Sequence, residues 1–185
     1  MSDAHAEGPA NPRPQVLLLR GAPGVGKTHA ARGLAEALGS GAVIEVDQLR
    51  AMFARVDWGS RHQHEVSLRG AMALAREFLE ASVSPVVIVD SFGRDSVGRA
   101  LTRLSGADVD VRVVSLWAEG ATLLERLDAR GAGFQDRHLA SLMNEEVRTR
   151  RVPHDHLLDT TGLTEEAVVR SLSELLAGRG AHEGA

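Results

Sequence analysis

Apolar positions fall into two kinds of stretch that take turns along the chain. The first kind is short: Gln15–Arg20, Ala42–Val46 and Pro85–Asp90 are continuous, Val109–Trp117 alternates and then becomes apolar, and Asp155–Asp159 contains Leu157 and Leu158. Runs of four to eight apolar residues predict strands buried on both faces. The second kind spaces its apolar residues three and four apart, which predicts helices with one buried side. Thr28–Leu38 carries Ala31, Leu34, Ala35 and Leu38 in this way, and Glu65–Ser82 carries Leu68, Ala71, Met72, Ala75, Phe78 and Leu79. Gln48–Ala54, Arg94–Leu104, Glu119–Arg130, the polar stretch Asp136–Arg151 and Ala167–Leu176 complete the set. Gly39-Ser40-Gly41, Asp57-Trp58-Gly59-Ser60 and Gly131-Ala132-Gly133 supply the turn chemistry between them. Strand and helix alternate five times, the signature of a doubly wound α/β domain with a parallel sheet. Residues 1–14, rich in Pro, Ala and small polar residues, read as a disordered tail, and 178–185 as a frayed end. That leaves a single domain over 15–177.

Composition narrows the partners. The chain has 185 residues, 43% hydrophobic and 25% charged, as in ordinary soluble domains. Its rings are four Phe and two Trp, with no Tyr, too few for a face that stacks single-stranded bases. A net charge of −4 and no run of Lys or Arg disfavour a nucleic-acid partner. Cysteine is absent, which excludes disulfides and Cys-based zinc sites. Nothing approaches the ~20 apolar residues of a membrane helix, and Met1–Pro14 has no apolar core of a signal peptide. The expectation is a cytoplasmic protein.

The chemistry concentrates at Gly21-Ala22-Pro23-Gly24-Val25-Gly26-Lys27-Thr28, which fits G-x-x-x-x-G-K-[ST] between a strand and a helix. Glycines there let backbone N–H groups converge on phosphate oxygens, and the helix that follows adds its positive end. Gly21 through Thr28, with His29 after them, are the candidate nucleotide contacts. Lys27 is placed to reach the β- and γ-phosphates, and Thr28 to hold Mg²⁺.

In such sheets ligands bind at the carboxyl ends of the strands, and two acids fall there. Asp90 ends the aliphatic run Val86–Val89, where a carboxylate can hold Mg²⁺ through its water shell opposite Thr28. Asp47 ends the second strand, where it can accept the proton of an attacking hydroxyl. Arg126 and Arg130 lie four apart on one helix face. Gly131 and Gly133 after them supply the hinge of a mobile lid, so these arginines are candidates to neutralise charge on the transferring phosphate. Arg50, Arg55 and Arg94 follow the second and third strands and are candidate acceptor contacts. His62, His64 and Glu65 have no spacing specific to a metal and read as a solvated helix start, and His154 and His156 carry no signal.

With these residues in place the chain resembles the small P-loop kinases, in particular the chloramphenicol phosphotransferase-like, zeta-toxin-like and polynucleotide-kinase-like group. The matching pieces are Gly21–Thr28, "VIEVDQLR" with Asp47 and Arg50, "VVIVD" ending at Asp90, "LLERLDAR" with Arg126 and Arg130, and "LLDTTGLTEEAVV". The resemblance implies a three-layer sandwich around a five-stranded parallel sheet in the order 2-3-1-4-5, with a mobile helical lid over about 131–150. It implies transfer of the ATP γ-phosphate to a hydroxyl, with Mg²⁺, Asp47 as general base and Arg126 or Arg130 against the nucleotide. Thr161, Gly162 and Leu163 would lie beside the adenine. After Asp90, Ser91-Phe92-Gly93-Arg94 matches no substrate signature. The expected substrate is a small hydroxylated molecule: an antibiotic, a sugar, a nucleoside or another metabolite. Two alternatives remain open on sequence alone: a kinase of nucleic-acid 5′-hydroxyls, and a nucleotide-dependent regulatory ATPase or switch.

Overall fold

The computed structural model describes residues 13–104, 108–131, 134–152 and 155–178, apart from the side chain of Arg94. Most of both predicted tails, Gly133 and His154 lie outside the described residues. Along the chain run β1 (Gln15–Gly21), α1 (Lys27–Leu38), β2 (Ala42–Glu45), α2 (Val46–Arg50), α3 (Arg61–Glu80) and β3 (Val86–Val89). They are followed by α4 (Arg94–Leu104), β4 (Asp110–Trp117), α5 (Gly120–Ala129), α6 (Arg137–Thr149), β5 (Asp155–Asp159) and α7 (Glu165–Leu176). The strands form one sheet in the order β2-β3-β1-β4-β5, with every pairing parallel.

Alternate residues of β1 explain why its run is continuously apolar. Leu17 and Leu19 face one core, with Ala31 and Leu34 of α1, Leu123 and Leu127 of α5, Ala140 of α6 and Leu172 of α7. Val16 and Leu18 face the other, with Leu68, Ala71 and Met72 of α3 and Val97, Ala100 and Leu104 of α4. A strand with helices on both sides has no solvent face on which polar residues could alternate. None of the helices is long and apolar enough to cross a membrane, among the described residues.

Two helix boundaries differ from the sequence reading. The longest helix begins at Arg61 rather than Glu65, because Ser60 caps it, its hydroxyl accepting from the Gln63 N–H at 3.3 Å. The helix expected over Gln48–Ala54 is instead α2, beginning at Val46 and ending at Arg50. Its continuation tightens into turns, Met52 N–H to Leu49 C=O and Phe53 N–H to Arg50 C=O. Asp47 is therefore the second residue of α2, and Glu45, not Asp47, closes β2.

Half of the span expected as a lid is anchored. Asn144 of α6 is 2% exposed. Its side-chain amide donates to Ala118 C=O at 2.7 Å and accepts from Ala118 N–H at 3.5 Å, pinning α6 to the end of β4. Removing that amide leaves two buried backbone groups without partners, at about 1–3 kcal/mol for such a group. Asn144→Ala is expected to lower unfolding stability by about 2 kcal/mol in a urea titration, while the exposed Leu142→Ala changes it little.

Candidate functional site

The cradle is built by backbone geometry. A Cβ on Gly21 would lie 2.7 Å from Leu116 C=O and 2.8 Å from a methyl of Val25, so the chain can leave β1 this closely only as glycine. Gly26 caps α1 at φ 103°, the left-handed region that side chains avoid. Beyond them opens a cleft of about 700 Å³, within the usual range for small-molecule sites. Its walls include Gly24, Val25, Gly26, Lys27, Thr28, His29, Arg32, Glu45 and Gln48 on one side. Arg126, Arg130, Thr160, Leu163, Glu165 and Val168 form the other.

Lys27 folds back on the cradle, donating to the carbonyls of Gly21 and Ala22 at 2.9 Å each. Burial pushes its ammonium down to about 8, against the opposing pull of Asp90, Asp47 and Glu45. Three carboxylates thus act on one lysine. Thr28 donates to Glu45 at 3.0 Å, and Arg32 pairs with the same carboxylate at 2.6 Å. The hydroxyl and carboxylates of Thr28, Glu45 and Asp90 form an all-oxygen donor set of the kind that suits Mg²⁺. Of the two carboxylates, Glu45 is the one that accepts from Thr28.

Asp90, 5% exposed at the end of β3, is gripped from α3: His64 Nε2 lies 2.7 Å from its Oδ2. That hydrogen bond raises the imidazole pKa, with desolvation opposing it. The histidine read as solvated is therefore part of the site, brought there because α3 starts a turn early. Asp47 opens to solvent from the first turn of α2. Partial desolvation, and then the charge of Asp90, lift its carboxyl above the ordinary range, against Lys27, Arg50 and His64.

The arginines separate. Arg126 donates to the Thr160 hydroxyl at 2.9 Å, to the Thr160 carbonyl at 2.8 Å and to the Val25 carbonyl at 3.4 Å. It bolts the cradle to the loop after β5. Arg130 is exposed on the cleft wall, and its charge is felt by Lys27. Arg50 is 7% exposed, donates to the carbonyls of Asp57 and Ser60 at 2.8 and 3.3 Å, and covers the Trp58 ring at 5.1 Å. It organises the α2–α3 turn. Arg55 is exposed on that turn, away from the cleft lining. The side chain of Arg94 lies outside the described residues. In the last loop Leu163 lines the cleft and Gly162 does not. Thr161 accepts instead from the Glu119 N–H at 2.8 Å. Thr160, Glu45 and His64 were missed because their partners lie 17 to 34 residues away in sequence.

Comparison with known proteins agrees with this fold. The tunicamycin resistance protein of Deinococcus radiodurans superposes with a TM-score of 0.66 at 22% identity, over 89% of this chain and 96% of that one. A gluconokinase from Sinorhizobium meliloti gives 0.60 at 22% identity, over 91% and 98%. The Mycobacterium tuberculosis APS kinase in complex with AMPPNP and APS gives 0.64 at 18% identity, over 90% and 99%. No curated protein matches in sequence. The family model described as AAA domain matches residues 16–150. The chain belongs to the AAA domain family and has the fold of the P-loop kinases.

Proposed function

We propose that the protein is an ATP-dependent phosphotransferase that moves the γ-phosphate to a hydroxyl of a small molecule. One observation carries this reading: Asp47 stands in α2 between Glu45 and Gln48, two residues of the cleft wall, and its charge and that of Lys27 act on each other. A phosphate cradle alone serves switches and motors equally; a carboxylate of raised basicity facing it serves a proton-releasing acceptor.

Bound phosphates would take the place of the Gly21 and Ala22 carbonyls as partners of Lys27, on the N–H nest between Gly21 and Thr28. Thr28 would hold Mg²⁺ directly, with Glu45 and Asp90 reaching it through water. The ion would supply neutralisation of phosphate charge. His64 fixes the Asp90 carboxylate in one orientation. Asp47 takes the proton of the acceptor hydroxyl as the new P–O bond forms and the bond to the β-phosphate oxygen breaks, leaving ADP. Arg130 is the arginine free to follow the transferring charge, whereas Arg126 is held by its three bonds.

Three measurements test this. In an ATP-consumption screen over hydroxylated metabolites and antibiotics, Asp47→Asn is expected to cut transfer by about 10²–10⁴-fold with ATP affinity within about twofold. Loss of ATP binding instead would make Asp47 structural. Arg130→Ala should lower kcat by about 10²-fold or more with little change in melting temperature, and Arg126→Ala should instead lower the melting temperature. Finally, ATP affinity should depend on pH through Lys27. Below about 8 the lysine is already charged when nucleotide arrives. Above that value each binding event must bring a proton to it, so affinity falls as pH rises, by at most about tenfold per unit. Calorimetry at pH 8.5 in buffers of different ionisation heat should show the proton uptake, and Lys27→Met should remove it.

A further inference from the structure

At the end of β2 stands a carboxylate with a partner on each of its oxygens. Alternation along the strand sends it there. Ile44 is buried in the core under α3 and α4, whereas Val43 packs against the core under α1. Glu45, two residues after Val43, therefore points to the α1 side of the sheet. Thr28 and Arg32 lie four apart in α1 and share one face of it. The Thr28 hydroxyl donates to Glu45 Oε2 at 3.0 Å, and Arg32 Nη2 donates to Oε1 at 2.6 Å. All three residues line the cleft that holds the cradle. The Glu45 side chain is 15% exposed against 62% for Arg32, so the guanidinium is the outer member of the pair.

This clamp decides what each group can still offer. A hydroxyl has a single proton. With that proton on Glu45, Thr28 has only lone pairs left, which suit a cation. Each Glu45 oxygen keeps a second acceptor position. Glu45 can thus accept from a water on the ion and keep both partners. It cannot turn both oxygens onto an ion without losing Thr28 and Arg32.

That restriction separates two divalent cations. Mg²⁺ is small, dehydrates reluctantly and is held by few protein oxygens, whereas Ca²⁺ collects more oxygens and takes carboxylates with both oxygens at once. A clamped carboxylate serves the first ion and is withheld from the second. The positive charge of Arg32 does not enter this comparison, because it opposes two ions of equal charge alike.

Resting on the phosphotransferase reading above, we propose that Arg32 is a positioning residue that sets the choice of ion. By holding Glu45 against Thr28 it keeps that carboxylate on the water shell of the ion, and so favours Mg²⁺ over Ca²⁺ beside the nucleotide. Arg32 touches no reacting group and acts through Glu45.

The test reads binding rather than turnover. The whole protein is titrated with a non-hydrolysable ATP analogue by calorimetry in excess Mg²⁺, in excess Ca²⁺ and in chelator. The readout is the ratio of the affinity in Mg²⁺ to that in Ca²⁺. The parent is expected to bind more tightly in Mg²⁺. Arg32→Ala should narrow the ratio by about three- to fivefold, the scale of an ion pair with one exposed partner. Arg32→Lys, which keeps a charged donor for Oε1, should stay near the parent. In Glu45→Gln no carboxylate remains to be freed, so adding Arg32→Ala there should leave the ratio unchanged. Each variant is first checked to melt as the parent does. A parent with no preference for Mg²⁺, or a ratio unchanged or widened in Arg32→Ala, overturns the proposal alone. So does a Lys variant that narrows the ratio as far as the Ala variant, or the same narrowing in the Glu45→Gln background. Analogue binding that is equal in either ion and in chelator, or no binding in any of the three, sinks the phosphotransferase reading and the ion assignment with it.

Discussion

The site depends on how closely β1 leaves the sheet beside β4. At Gly21 the chain passes the Leu116 carbonyl with no room for a side chain, held there because β1 pairs with β4 from Gln15 to Gly21 and with β3 from Val16 to Leu19. That lock comes from burial on both faces. Two separate hydrophobic cores meet along β1, one under α1, α5, α6 and α7, the other under α3 and α4. The order 2-3-1-4-5 then makes the neighbours of β1 diverge in sequence to either side, which opens the crevice into which the cradle projects.

From that crevice the surrounding groups arrive by different routes. β2 delivers Glu45 and α2 delivers Asp47; β3 delivers Asp90; α5 and the loop after β5 deliver Arg126 and Thr160. Lys27 sits among these charges and is desolvated by burial. Its proton is held less tightly than that of a surface lysine, even with three carboxylates acting on it. Desolvation by burial is the largest effect on the ammonium and outweighs their attraction.

Much of this was legible in the sequence, and the limit has a physical form. Periodicity identifies a buried strand or a one-sided helix from residues within a few positions of each other, so the five strands and the P-loop were readable. The positions of Asp47 and Asp90 followed, because strand ends are marked by the loss of apolar residues. Asp47 slipped by one element only because Val46, apolar and buried, continues the strand's pattern while already starting a helix. Side-chain partnerships across the fold leave no such local trace. Nothing near His64 announces that Asp90, 26 residues on, is its partner. The outcome turned on whether Ser60 would cap a helix, and on where that helix would then lie. The same holds for Arg126: its spacing from Arg130 suggested a matched pair, but Thr160 took one of them out of circulation.

The α2–α3 connection invites a last remark. Between Ala51 and Ser60 no residue is buried, and the segment hangs from one guanidinium and a handful of backbone bonds. The two cores place no volume constraint on it. Its residues can therefore change without disturbing the packing that shapes the cradle. The cradle and this segment are open to different rates of divergence: one is tied to the folding of the whole domain, the other to little beyond Arg50. A scaffold partitioned in this way can keep its phosphate cradle constant while the α2–α3 connection drifts.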